Sequence, residues 1–101
     1  MTHPKFILTM DGRIRLGMVV RHVELMRRGD ECIGGGYYEV DYASNRLLLS
    51  GISTDFGIPR WHLVDAIALP KAYRGMSVVY RYDDPHEEDV AVTADFPITY
   101  Y

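Results

Sequence analysis

The side chains able to do chemistry in this chain are few and scattered. Its one cysteine, Cys32, could serve as a nucleophile only if a cation lowered its pKa. Its sequence neighbours are instead Asp30, Glu31 and Ile33, and the two carboxylates push the thiol up, so it reads as inert. Histidines stand at His3, His22, His62 and His86, with no pair at a metal-binding spacing. His22 and Glu24 are two apart, which on a helix would turn them away from each other. The run Asp83-Asp84-Pro85-His86-Glu87-Glu88-Asp89 concentrates carboxylates. It lacks the ordered oxygens and central glycine of a calcium loop, and reads as a solvated acidic turn. No metal and no cofactor is expected. Asp55-Phe56-Gly57 has the letters of a kinase triplet, but without the remaining kinase elements in 101 residues the match is coincidence.

The sharpest local feature is Gly34-Gly35-Gly36, followed by the tyrosine-rich stretch Tyr37–Tyr42. A phosphate loop puts its glycines after a strand and at the start of a helix. Here they precede a strand, and neither GxGxxG nor GxxxxGK[ST] is present, so a bulge or a close backbone approach is favoured. The alternative is a small-ligand pocket lined by Gly34, Gly35, Gly36, Tyr37 and Trp61, with Tyr38 and Arg60 or Arg74 at its rim. Aromatics beside glycines also invite base stacking. However, Glu39 and Asp41 share a face with Tyr37, where they repel phosphate, and the sequence pI is near 5.7. Nucleic acid is not an expected partner.

These residues must be positioned by short elements. Lys5–Thr9 reads as a strand, Met10-Asp11-Gly12 as a turn, and Arg13 to Leu16 as a returning arm. From Met18 to Arg28 the apolar positions Val19, Val23 and Met26 fit helical spacing, with Gly29 placed to end the helix. Tyr37–Tyr42 alternates as a strand, Ala43-Ser44-Asn45 is turn chemistry, and Arg46–Ser53 returns. Pro59 can open a second helix in which Trp61, Val64 and Ala68 are in phase, although Leu63, Asp65 and Ile67 fit alternation equally well. Lys71–Arg74 is one helical turn stopped by Gly75, Met76–Tyr82 a strand, and Val90–Thr93 a short edge strand. Phe56, Pro59 and Trp61 read as a satellite core rather than a binding surface, since Trp is usually well buried.

The expected class is therefore α+β: a small antiparallel sheet with one or two helices packed on it. The order matches the βαββαβ arrangement of ferredoxin-like folds, with an extended C-terminal tail; a twisted antiparallel sheet with a single helix is the alternative. One domain spans residues 1–101, of which 83–101 form the acidic turn and apolar tail. With 48% hydrophobic residues such a chain can fold alone. A single free cysteine suits a reducing compartment, and no apolar run reaches the ~18 residues of a membrane span, so the expectation is a soluble cytoplasmic protein.

Charge is uneven. Residues 1–28 carry Lys5, Arg13, Arg15, Arg21, Arg27 and Arg28 against Asp11 and Glu24, whereas residues 83–101 carry six carboxylates and no Lys or Arg. The acidic segment reads either as docking on the basic one or as a second solvated surface. The absence of a catalytic constellation makes a non-enzymatic protein–protein interaction module the leading expectation, self-associating or binding another protein. Its expected interface is the tail, through Phe96, Ile98, Tyr100 and Tyr101. Even-numbered tail residues share one face of an extended segment, lying on the sheet of the same subunit or of a neighbour. A ligand-binding protein or enzyme using the glycine-run pocket is the alternative.

Overall fold

Apolar alternation, rather than helical spacing, governs the regular backbone of this chain. A computed structural model describes residues 1–101 as seven strands: β1 (His3–Thr9), β2 (Ile14–Val19), β3 (Cys32–Asp41), β4 (Arg46–Ser50), β5 (Ile67–Leu69), β6 (Ser77–Arg81) and β7 (Ile98–Tyr100). Short 3-10 turns lie at His22–Leu25, Trp61–Leu63 and Lys71–Tyr73, and one α-helical turn at Val92–Asp95. Five strands form a mixed sheet in the order β2-β1-β3-β4-β6, and β5 pairs with β7 in a second, two-stranded sheet. Within the large sheet every pairing is antiparallel except β4 with β6. No helix is long and apolar enough to cross a membrane.

One face of the large sheet builds the core. Phe6, Leu8, Ile14, Leu47, Leu49, Val78 and Tyr80 are buried there, closed over by Trp61, Val64, Ile67, Leu69 and Val92. Tyr80 sits at the centre, edge-on to Phe6 and Tyr82 and tilted against Trp61. Its hydroxyl donates to the Gly51 carbonyl at 2.6 Å, which satisfies a polar group that would otherwise be costly to bury. The opposite face is covered only at its β2-β1-β3 end, where the His22–Leu25 turn lays His22 and Leu25 over the buried Ile7.

The α+β expectation with packed helices, and with it the ferredoxin-like order, is overturned by this largely all-strand architecture. Over Met18–Arg28 the chain continues β2 to Val19, because Met18 and Val19 pair with Pro4 and His3. The β-branched Val19, Val20 and Val23 favour extension over helix, leaving one 3-10 turn in which Glu24 Oε2 accepts from the Arg21 N–H at 2.6 Å. The second helix is likewise reduced to the Trp61–Leu63 turn. Alternation wins after it, with Ile67 and Leu69 buried on β5 and Ala68 between them. At Val90–Thr93 the expected edge strand is a single bridge from Val90 to Tyr80, followed by the helical turn.

Other local expectations match the structure. Asn45 takes the left-handed conformation (φ 54°) in the β3–β4 turn, and the last strand runs along the tail with Phe96, Ile98 and Tyr100 turned towards the core and Pro97 and Thr99 exposed.

Candidate interaction surface

The sheet exposes backbone along one stretch of its rim. The hydrogen bond from the Thr9 N–H to the Arg13 carbonyl (2.9 Å) sets the phase of the β1–β2 ladder. In an antiparallel pair, residues alternate between facing the partner strand and facing away. Arg13, Arg15, Gly17 and Val19 therefore bond towards β1, and Gly12, Ile14, Leu16, Met18 and Val20 direct their backbone groups outward. The ends of this outward row are occupied. Gly12 accepts from the Ala68 N–H at 2.9 Å, Ile14 from the Tyr101 hydroxyl, and Val20 from Lys5 Nζ. The backbone groups of Leu16 and Met18 make no hydrogen bond to any other strand or loop, and Leu16 borders an open depression of about 290 Å³ flanked by Leu25 and Arg27 on one side and Pro70 and Tyr101 on the other.

Apolar side chains surround these unpaired groups. Met18 is 59% exposed, Val20 51% and Val23 44%, while Leu16 packs against the core. The opposite rim of the large sheet is guarded. Along β6, Tyr80 and Val90 exchange two backbone bonds of 2.9 Å, and the Val78 N–H donates to Thr93 Oγ1 at 3.1 Å. The outer side of β7 is open too, but β7 is three residues long, follows Pro97, and exposes only Thr99. Natural sheets usually blunt long apolar edges with charge, proline or covering chain; β2 carries neither charge nor proline between Arg15 and Arg21.

The glycine run is filled by the protein itself. Between Ile7 and Thr9, Leu8 of β1 opposes both Ile33 and Gly34 of β3, a bulge that places Gly34 at φ 143°. A Cβ on Gly34 would lie 2.4 Å from Pro59 Cα, and one on Gly36 would lie 2.3 Å from the Ser50 carbonyl oxygen. Gly34, Gly35 and Gly36 are buried, Tyr37 is at the surface, and Trp61 lies in the core against Tyr80 and Phe96. The residues of the expected pocket are thus not brought together around a cleft. Open depressions lie elsewhere, one of about 360 Å³ at Ile52, Ile58, Tyr82, Asp83, Asp84 and Glu87, another of about 270 Å³ on the sheet face at Glu39, Asp41, Arg46 and Arg81.

The tail residues are employed within their own chain. Phe96 packs on Trp61, and β7 runs parallel to β5 with Ile98 opposite Ile67 and Tyr100 opposite Leu69. Tyr101 donates its N–H to Leu69 and accepts from Lys71; its ring lies 5.8 Å from the Arg13 guanidinium. The tail thus reaches the basic end through an aromatic ring and a hydroxyl rather than through its carboxylates. The N-terminal arginines pair elsewhere: Arg13 with Asp11, Arg15 with Asp30, Arg21 with Asp55. The Arg15–Asp30 pair is two-pronged and mostly buried, and it holds the Asp30 carboxyl below its usual range.

The cysteine and the buried histidine both make bonds within their own chain. Burial pushes the Cys32 thiol up, and its Sγ–H donates to the Gly34 carbonyl. His22 is buried, with Nε2 2.7 Å from the Gly36 carbonyl oxygen and its ring edge-on to Tyr37. Burial is the main cause of its lowered pKa, so the neutral ring donates from Nε2. No three His, Cys, Asp or Glu side chains gather closely enough to hold a metal ion. Compared with protein-family models, with curated proteins and with solved structures, the chain shows no match.

The signal for the β2 edge was present in the sequence. Ile14, Leu16, Met18 and Val20 keep one parity across the point where helical spacing takes over, and that alternation marks β2 as a strand, though not its place at the rim.

Proposed function

We propose that this chain is a non-catalytic interaction module that takes up a further β-strand along β2. The observation that carries the reading is the pair of outward-facing residues, Leu16 and Met18, whose backbone groups lack partners inside an apolar border. Main-chain bonds supply affinity in such strand addition, and side chains of alternate residues supply selectivity. The free thiol of Cys32, buried enough to resist ionisation, fits a reducing cytoplasm as the place of work.

A photo-reactive amino acid placed at Met18 in the producing cell tests the reading, with the same residue at the more exposed Tyr42 as control. Adducts formed from position 18 and not from position 42 are expected. Absence of any adduct at position 18, in a variant that folds, would remove the proposal.

A further inference from the structure

We infer that the strand added to β2 is β2 of a second copy of this chain, in a single register centred on Gly17. The inference rests on the strand-addition reading and goes beyond it by fixing the occupant. Around a two-fold axis perpendicular to the sheet, two β2 edges meet antiparallel. Only registers that set even-numbered residues opposite even-numbered ones bring outward groups face to face, because the odd-numbered groups are bonded to β1. Three such registers are within reach.

Setting Leu16 opposite Leu16 of the second copy would place Met18 against Ile14, whose carbonyl already accepts from Tyr101. Setting Met18 opposite Met18 would place Leu16 against Val20, whose carbonyl already accepts from Lys5. Setting Leu16 opposite Met18 of the second copy satisfies both N–H and both carbonyl groups of each chain with free partners. The stretch left open is therefore its own complement. Any other strand would need that same two-residue length between blocked ends.

The side chains agree with this register. Gly17 would face Gly17 across the axis, a non-hydrogen-bonded position where the Cα atoms approach to about 4.5 Å and side chains crowd. On the core face, Leu16 and Met18 of one chain would lie beside Met18 and Leu16 of the other, continuing the apolar layer outward from Phe6 and Ile14. On the other face Arg15 would oppose Val19, and Arg15 is already neutralised by Asp30, so no like charges meet. The contact is small beside the ~1,000 Å² of a firm interface, so the dimer is weak and reversible, dissociating at roughly 10–500 µM.

Sedimentation equilibrium from about 10 µM to about 1 mM tests this with wild type and Met18→Lys. Met18 is exposed, so the variant should keep its fold, as circular dichroism would verify. The expected result is a monomer–dimer equilibrium weakened at least tenfold by Met18→Lys. In a mixed sample of isotope-labelled and unlabelled chains, a Gly17 Hα–Hα contact should pass between copies. A wild type that stays monomeric throughout overturns the inference, as does a dimer unaffected by Met18→Lys or lacking the Gly17 contact. Photo-adducts at position 18 with masses other than twice the chain would then keep strand addition to a different protein; no adducts at all would end both.

Discussion

Gly36→Ala isolates the reason for the glycine run, because Gly36 lies buried on β3 at a backbone angle that alanine tolerates. Its cost is therefore one of contact. The new methyl would lie 2.3 Å from the Ser50 carbonyl oxygen, 2.9 Å from that of Gly51 and 3.0 Å from Phe6 Cε1. Ordinary contact between carbon atoms is about 3.5–4.0 Å, so the chain at Ser50–Gly51 must retreat by roughly 1 Å. That retreat loosens the Tyr80 hydroxyl bond to Gly51, now 2.6 Å. Overpacking of this kind costs about 1–3 kcal/mol, and a weakened buried hydrogen bond adds about 1 kcal/mol. At about 4–8 °C per kcal/mol for a domain of this size, the midpoint should fall by roughly 10–30 °C. Gly75→Ala provides the comparison, since nothing lies within 4 Å of its Cβ position and only the backbone angle (φ 85°) resists; its cost is about 1–2 kcal/mol. Thermal and urea unfolding monitored by circular dichroism would measure both. A Gly36→Ala protein that melts within about 3 °C of wild type would refute the claim that backbone packing dictates these glycines.

Three further outcomes follow from the same contacts. Tyr80→Phe should cost about 1–3 kcal/mol in urea unfolding, because it leaves the buried Gly51 carbonyl without its donor; an unchanged midpoint would show that water replaces the hydroxyl. Stability should fall as pH drops below about 6.5, the value of an unfolded histidine, because burial keeps His22 neutral and lowers its pKa, so the unfolded chain binds the proton first. His22→Gln should abolish that slope, while a second loss below about pH 4 remains, since the Arg15 bonds that lower the Asp30 pKa stabilise the ionised form only. Deleting residues 96–101 strips Phe96 from Trp61 and β7 from β5 and should lower the midpoint by more than about 10 °C; unchanged melting would make the tail a mere appendage.

Local chemistry was legible in the sequence where one or two residues decide the outcome. Asp11-Gly12 and Asn45 mark their turns, and the even-numbered residues of the tail mark a buried face. The helices were misread for a physical reason. In Met18–Arg28 and Pro59–Ala68, apolar residues satisfy both periods, and the choice was made by pairing with distant chain: His3 and Pro4 hold Val19 and Met18, and β7 holds Ile67–Leu69. The open edge is harder still to read, since it depends on which strand occupies the rim of the sheet. Tyr101 on Ile14 and Lys5 on Val20 then narrow it to two residues, and those contacts have no signature in spacing. The glycine run announced close backbone approach, but not that the approaching backbone would be Ser50, Gly51 and Pro59.

Amide hydrogen exchange at Leu16 and Met18, followed by NMR as a function of protein concentration, tests the account of a self-paired β2 edge most directly. In dilute solution both amides should exchange without protection while the Thr9 amide, bonded to Arg13, stays protected. As concentration rises towards about 1 mM, protection of Leu16 and Met18 should grow together and leave that of Thr9 unchanged. Two results would contradict the account: protection of both amides at every concentration, meaning that the edge is closed within one chain, or no protection at any concentration, meaning that no second chain takes it.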